Sequence, residues 1–536
     1  LFGPSVWTSG PGAVLDAALD PLLGDAELDR WRTCVRTMTH ALRWATEPSV
    51  HRYRDRAILA FESPIDALMT ATLVNEWAWT VAAADGEARA AVIYSEDAPD
   101  APPLPLEQLS AIDAARAALA AEANPRAIAL QQRAAHERIP FLFDDEGASV
   151  GYGARSHSWH PRELPSPNDV VWRELGVIPV ALVTGSNGKT TTVRLVAAML
   201  ARAGHTVGYC CSDGVFIAGV CVERGDWSGP AGARMVLRDR RVTAAVLETA
   251  RGGMLRRGVV VPHADVAVIT NMAEDHFGGY GIESLVDLAL VKLGVTNALA
   301  ESGVLVLNAD DPTLGDPRLA FAGRVERFSE REAGIITPPP SEMPLTLGGA
   351  ARHNVANAVG AAHVATAMGV SRAVIDETLR AFGRDNTDNA GRLERFDVHG
   401  VRVWVDYAHN PHGLGALLHA AAAAQGTGRL GLLLGQAGDR EDDAIRALAR
   451  TAWEARPARI VLKDVNGYLR GREPGEVPAI LRDELLRVGT PEAVLSTVSA
   501  EADGVRALLA WAAPGDLLVL PVHALSARDA VIALLQ

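Results

Sequence analysis

The chain is short of cysteine, of basic charge, of aromatics and of long apolar runs, and most of these shortages exclude something. Four cysteines in 536 residues (Cys34, Cys210, Cys211, Cys221) are too few for a disulfide framework, and none has paired metal-ligand spacing. A reducing, cytoplasmic setting is therefore expected. Lys and Arg number 51 against 65 Asp and Glu, a formal charge of -14, so no broad footprint for nucleic acid or anionic lipid is expected, although local basic pockets are allowed. The apolar stretches over 177–183 and 259–269 are short or broken by Pro262, His263 and Asp265, and none can span a bilayer. Leu1-Phe2-Gly3-Pro4 lacks the charged start of a signal peptide; without an initiator Met, a removed leader stays open.

Hydrophobic content of 48% is ample for several buried cores, and at roughly 150 residues per domain the length predicts three or four domains. Three α/β units can be drawn. The first, 1–165, reads as α+β, with amphipathic helical stretches over 24–44 and 106–136 separated by an extended run over 89–94 and a proline cluster over 99–105. Its alanine-rich segment 114–123 carries interleaved Arg and Glu and stops at Pro125, which predicts an ordinary packed helix. The second, 166–389, alternates strands over 177–183, 244–247, 265–270 and 303–307 with helices over 190–203, 282–299 and 354–368. That alternation implies a mostly parallel sheet covered on both faces. The third, 390–536, has strands over 401–405, 430–434, 459–462 and 516–520 between helices, a smaller Rossmann-like α/β domain.

Val180-Ala-Leu-Val-Thr-Gly-Ser-Asn-Gly-Lys-Thr190 places a buried strand, a glycine-containing turn and a helix start in succession. A P-loop needs that context: Gly185 and Gly188 let backbone N–H groups curl around phosphate oxygens, Lys189 neutralises charge, and Thr190 can ligate Mg²⁺. Val183 stands where the full motif has its first glycine. Glu248 ends a hydrophobic strand, so its carboxylate should emerge at the C-terminal edge of the sheet, where open α/β folds bind ligands; the bland reading is a surface glutamate. His409 and His412 have no cysteine or carboxylate pattern beside them that would suggest zinc.

The shorter loop Thr184-Gly-Ser-Asn-Gly-Lys-Thr-Thr-Thr192 resembles that of the Mur ligase superfamily, and in particular the second ligase half of the cyanophycin synthetases. Further matching stretches are His205-Thr-Val-Gly, Ser212-Asp-Gly, Gly225-Asp-Trp-Ser-Gly-Pro230, Leu247-Glu-Thr-Ala-Arg-Gly-Gly253 and Asn271-Met-Ala-Glu-Asp-His276. They continue with Asn308-Ala-Asp-Asp-Pro312, Asp406-Tyr-Ala-His-Asn-Pro411, Gly438-Asp-Arg440 and Leu469-Arg-Gly-Arg472, and cover the last two-thirds of the chain. Gly3-Pro4, Trp7 and Val150-Gly-Tyr-Gly153 more weakly resemble the amino-terminal domain of the same synthetases. There the family carries an ATP-grasp domain after the counterpart of Gly153. Here about two dozen residues separate Gly153 from the phosphate-loop strand, so the aspartate-adding half-reaction is expected to be absent.

The resemblance implies an ATP-dependent ligase that turns a carboxylate into an acyl phosphate and captures it with an amine. It implies catalytic roles for Lys189, Glu248, His276 and Lys292, and nucleotide contacts from Gly185, Ser186, Asn187, Gly188, Lys189, Thr190, Thr191, Asn308, Asn354, Asn357, Arg392 and Asp406. Two Mg²⁺ sites are implied, on Thr190, Glu248 and His276, with Lys292 either carbamylated or a plain helix lysine. Asn354 could instead cap its helix. Substrate contacts are placed at Asp213, Arg251, His409, Asp439, Arg440, Arg470 and Arg472; the last two either bind a carboxylate or lie on the surface. The partners implied are amino acids or short peptides, one of them basic, with no nucleic acid and no membrane. The first unit holds the carboxylate substrate or forms a homo-oligomer contact, and the third is expected to close over the second around 389–392. The rival readings are a cell-wall-precursor ligase with a UDP-linked substrate and a non-catalytic nucleotide-binding regulator.

Overall fold

The computed structural model describes residues 1–21, 24–83, 103–274, 277, 279–331 and 335–536. Its centre is an eight-stranded sheet in the order Val220–Arg224, Gly214–Ile217, Val207–Cys211, Ala244–Glu248, Val180–Thr184, Ala264–Ile269, Leu299–Asn308, Arg324–Phe328. From Val207–Cys211 onward the pairings are parallel, with Val246 opposite Ala181 and Val268 opposite Val183. The first two strands form an antiparallel hairpin on one edge.

Every residue of Val180–Thr184 and Ala244–Glu248 is buried, because both faces of the sheet carry helices and each strand serves two cores. Leu182, Leu247, Leu255 and Ile269 belong to one core; Val183, Leu195, Val246, Val268 and Val359 belong to the other. The expected strand over 177–183 starts only at Val180, since Pro179 has no N–H for a ladder. The helix expected over 282–299 is α-helical over Leu285–Leu293 and tightens to a 3₁₀ turn over Gly294–Ala298. Gly294, Val295 and Thr296 are all weak α-helix formers. Leu299 already opens the long strand Leu299–Asn308.

The C-terminal part is a six-stranded sheet ordered Glu394–Val398, Val401–Asp406, Leu517–Pro521, Leu430–Leu434, Arg459–Lys463, Leu495–Val498. All its pairings are parallel except the first. The four inner strands are those the sequence marks. The two edge strands bury one residue each, Glu394 and Leu495, and carry polar side chains, so no apolar run announces them.

The N-terminal part is α+β, as expected, but its strands lie where the sequence reading placed none. Gly12–Ala18, Arg56–Glu62 and Ser49–Tyr53 form an antiparallel sheet with Arg56–Glu62 in the middle. The Gly24–Ala41 and Leu68–Ala82 helices pack on it, and Trp31 Nε1 donates to Asn75 Oδ1 at 2.9 Å between them. The extended run expected over 89–94 lies outside the described residues. The helical stretch over 106–136 is two helices, Gln108–Glu122 and Pro125–His136. Asn124 Oδ1 accepts from Ala127 N at 3.1 Å, and Pro125 occupies the first turn, so this proline starts a second helix as well as ending the first. A small sheet, Phe141–Phe143, Ala148–Val150 and His157–Trp159, leads through two 3₁₀ turns to Val180. Among the described residues no helix is long and apolar enough to cross a membrane.

Candidate functional site

The parallel strands of the central sheet end together, and the segments leaving their C-terminal ends build the site. After Thr184 the chain turns through Gly185 (φ 140°) and Gly188 (φ 82°) into the Lys189–Arg202 helix. A Cβ on Gly188 would sit 2.2 Å from Asn357 Oδ1, so close approach and a left-handed backbone both demand glycine there. The turn is pinned from the neighbouring strand end: Asn187 N donates to Asn271 Oδ1 at 3.0 Å, and Thr270 Oγ1 donates to the Asn187 carbonyl at 2.6 Å. Ser186 Oγ accepts from Ala273 N at 3.0 Å. Lys189 Nζ donates to the Ser186 carbonyl at 3.1 Å, which folds the ammonium back over the loop.

Glu248 is 1% exposed at the end of its strand. Its Oε2 accepts from Thr190 Oγ1 at 2.8 Å and its Oε1 from Ser212 Oγ at 3.0 Å. It takes part in no ion pair within 4 Å among the described residues; the Ser212 N–H, 3.4 Å from Oε2, and the charge of Arg392 also face it. Lys292, 3% exposed, donates to the Gly185 carbonyl at 2.8 Å and ties the Leu285–Leu293 helix to the phosphate loop. His276 lies outside the described residues.

The C-terminal part reaches into the same place. Asn410 caps the Pro411–Gln425 helix by accepting from Gly413 N at 2.8 Å, and its Nδ2 donates to Asn187 Oδ1 at 2.9 Å. Asn187 Nδ2 lies 3.1 Å from His412 Nδ1; an amide N–H only donates, so His412 accepts there. Arg392 stands over the Tyr407 ring at 4.3 Å, with Nη2 3.5 Å from Thr190 Oγ1. Asp406 accepts from Leu393 N and Ala408 N, both at 2.8 Å. Burial raises its carboxyl, against the pull of Arg392.

Asp213 is engaged by the protein's own side chains. It is 5% exposed and accepts from Arg194 at 2.7 Å and Arg528 at 2.8 Å, with Arg392 at 3.8 Å. Burial alone would raise its carboxyl, but the guanidinium groups of Arg392, Arg194 and Arg528 hold it down at about 2. Because Arg194 belongs to the phosphate-loop helix and Arg528 to the last helix, this one carboxylate joins the two sheets. Arg472 is likewise engaged: it donates to the Gly438 and Arg440 carbonyls, Glu476 and Asp442 at 2.6–2.9 Å. Arg470, by contrast, is exposed and lies against the Tyr468 ring at 5.4 Å.

Two clefts open from the loop. One is lined by Gly188, Thr191, His353, Asn354, Asn357, Arg392, Asp406, His412 and Leu417. Burial and the neighbouring His412 hold His353 down at about 4, a neutral imidazole. Asn354 is the third residue of the Arg352–Ala367 helix, whose cap position is Ala351; it accepts from Asn357 Nδ2 at 3.2 Å instead of capping. Asn308 stands apart from this lining, with Nδ2 donating to the Thr270 carbonyl at 2.9 Å. The second, wider cleft is lined by Trp227, Arg251, Arg256, Arg257, Tyr280, Lys292, Asp439, Arg440, Tyr468 and Arg470. Ser186, Lys189, Ser212, Glu248, Tyr407 and His409 line both clefts. Of these, Ser212 and Tyr407 were not singled out from the sequence. Both directly succeed strand ends, the signal that picked out Glu248.

A buried strand, a glycine turn with its lysine, a carboxylate one strand over and a second α/β body closing from the far side define a P-loop nucleotide-binding protein with two adjoining ligand clefts. Residues 183–365 match the Mur ligase middle domain and residues 391–521 the Mur ligase, glutamate ligase domain. A UDP-N-acetylmuramoyl-L-alanyl-D-glutamate–2,6-diaminopimelate ligase of Corynebacterium efficiens is 30% identical over 368 residues, 63% of this chain and 68% of that one. A cyanophycin synthetase of Geminocystis herdmanii is 32% identical over 372 residues, 64% of this chain and 42% of that protein. The chain thus spans about two-fifths of the length of the cyanophycin synthetases it matches. The chain belongs to the Mur ligase family. In fold it is similar to MurF from Acinetobacter baumannii (TM-score 0.50, 19% identity, 67% of this chain and 76% of that one). It is also similar to a bifunctional folylpolyglutamate synthase/dihydrofolate synthase from Yersinia pestis complexed with AMPPNP and Mn ion (TM-score 0.51, 20% identity, 66% and 88%).

Proposed function

We propose that the protein is an ATP-dependent amide-bond ligase that converts a carboxylate to an acyl phosphate and joins it to the amine of an amino acid or short peptide. The observation that carries this reading is the meeting of two clefts at Lys189, Ser212 and Glu248. A nucleotide in the smaller cleft would present its terminal phosphate to an acid lying in the larger one.

In this reading the chain divides into an N-terminal part (1–165), a nucleotide-binding part (166–389) and a closing part (390–536). The backbone N–H groups of the turn, Lys189 and Arg392 hold and screen the phosphates, while Asn354, Asn357, His353 and Leu417 surround the base and ribose. A divalent cation fits beside Glu248, where Thr190, Ser212 and the buried carboxylate offer hard oxygen donors; it would screen the phosphate oxygens when bound. Phosphate oxygens of the nucleotide would complete the coordination. Lys292 acts as an ammonium that fixes the Gly185 carbonyl and so orients the turn.

The carboxylate attacks the γ-phosphorus, ADP departs, and the amine then attacks the acyl carbon and expels phosphate. Most of the rate comes from positioning and from fixed charges facing the phosphoryl group. The acyl phosphate survives only if water is kept out, and the contacts of Asn187 with Asn410 and His412 close that side of the nucleotide cleft. The amine partner sits on the closing part, near Asp439, Arg440 and Arg470. The test is phosphate release by the purified protein with ATP and Mg²⁺ across pairs of amino acids and dipeptides, with products identified by mass spectrometry. A new amide product is expected. No amine-dependent turnover with any pair would refute the amino-acid reading, and turnover only with a UDP-linked acid would transfer the protein to cell-wall-precursor synthesis.

A further inference from the structure

At the seam of the two clefts, where His523 lines the larger one, stands a buried charged cluster that the proposed reaction does not use. Lys463 ends its strand with 0% exposure, and its Nζ donates to Glu501 and, at 3.0 Å, to His523 Nδ1. Glu501, 2% exposed, also accepts from His523 N at 2.9 Å and Ala524 N at 3.1 Å. An ammonium cannot accept, so His523 Nδ1 must be the acceptor, the ring is neutral and its proton sits on Nε2. That N–H points at the Ala408 carbonyl, 3.1 Å away. Burial and the adjacent Lys463 charge hold His523 well below the usual imidazole range, which keeps it in this single form.

Ala408 lies between the two residues of the seam loop, Tyr407 and His409. The His523 ring also meets the Tyr407 ring edge-on at 5.5 Å, and Tyr407 carries the Arg392 guanidinium on its face at 4.3 Å. Arg392 in turn reaches Thr190 Oγ1. An unbroken run of contacts therefore leads from Lys463 and Glu501 through His523 and Tyr407 to the phosphate loop.

We infer that His523, locked by Lys463 as the Nε2–H tautomer, is a positioning residue that sets Tyr407 and thereby aims Arg392 at the bound nucleotide. The inference rests on the nucleotide site proposed above. Both nitrogens of His523 are engaged by the protein itself.

Two substitutions separate the roles. His523→Asn keeps an acceptor for Lys463 but falls short of Ala408; His523→Gln reaches Ala408 but gives up the Lys463 contact. The positioning role predicts that affinity for a fluorescent N-methylanthraniloyl-ATP with Mg²⁺ falls about tenfold in His523→Asn, the equivalent of one lost hydrogen bond, and recovers to within about threefold of wild type in His523→Gln. Thermal stability should rank the other way, with His523→Asn the more stable variant. Affinities that track the stability ranking, or that match wild type in both variants, would overturn the role. In full-length protein with ¹⁵N-labelled histidine, His523 should show a protonated Nε2 and an unprotonated Nδ1 from pH 5 to 8; a Nδ1–H tautomer or an imidazolium would overturn it without any variant. A wild type that binds the nucleotide and shows this ranking but forms no amide would sink the ligase reading alone. Amide formation without the ranking would sink only this inference, and a wild type that binds no nucleotide would sink both.

Discussion

Replacing Asp213 by asparagine should loosen the C-terminal part from the central sheet, and the size of the effect can be worked from the structure. The carboxylate is buried among Arg194, Arg528 and Arg392 and held at about 2 in place of the usual 3.8. A carboxyl depressed to that extent in the folded state contributes about 2 kcal/mol at neutral pH. The contribution is complete above the unfolded value and is lost as pH falls through 3.8 toward 2, so roughly half remains at pH 3. Asp213→Asn also leaves three guanidinium groups facing a neutral amide, which for a broken buried pair costs about 3–5 kcal/mol. Urea denaturation at pH 7 should show the variant destabilised by at least about 2 kcal/mol, and the gap between wild type and variant should shrink when both are measured at pH 3. A gap under about 0.5 kcal/mol, the size of an ordinary surface substitution, or one that does not change between the two pH values, would refute the assignment of Asp213 as the tie between the sheets.

Lys189→Ala should abolish ADP formation while leaving the circular dichroism spectrum and melting temperature near wild type, since the lysine's one described hydrogen bond is to the Ser186 carbonyl; normal turnover would mean the site is misplaced. Glu248→Gln keeps the side chain's shape but removes its charge and one of the two acceptor oxygens that serve Thr190 and Ser212, so Mg²⁺-dependent turnover should fall about 10²–10³-fold, as for loss of one preorganised electrostatic group, and titration with Mg²⁺ in the presence of ATP should reach half-maximal turnover only at a higher Mg²⁺ concentration. Gly188→Ala places a Cβ 2.2 Å from Asn357 Oδ1 at a φ of 82°. It should raise the ATP dissociation constant about five- to 150-fold, at about 1–3 kcal/mol for a strained residue, measured by calorimetry; unchanged affinity would refute the tight packing of loop on base pocket.

Legibility in the sequence tracks burial. Strands buried on both faces, such as Val180–Thr184, Ala244–Glu248 and Leu430–Leu434, are nearly uninterrupted apolar runs and can be placed to within a few residues. Strands on an edge or in an antiparallel sheet escape such a reading, because only one of their faces is apolar: Val220–Arg224 is exposed throughout and Glu394–Val398 alternates. Ser49–Tyr53 reads as polar for the same reason. The phosphate loop is legible because glycine, lysine and a preceding buried strand are a local pattern, and Glu248 because a strand end is one too.

What the sequence could not carry is the pairing of charges across long separations. Asp213 and Arg528 stand 315 residues apart, and Asn187 and Asn410 stand 223 apart; nothing local distinguishes an aspartate that will meet three arginines from one that will meet a substrate. The same holds for Arg470 and Arg472, two residues apart in one motif. Arg472 has its donors taken by carbonyls and carboxylates of its own neighbourhood, while Arg470, held at a φ of 49°, turns out to the wide cleft. An arginine already satisfied by its own chain has little left to offer a ligand, whereas an exposed one in a left-handed backbone is held there at a cost that something else in the fold must offset. Within the motif Leu469-Arg-Gly-Arg472, we therefore propose Arg470 as the substrate contact, with Arg472 bracing the loop that presents it.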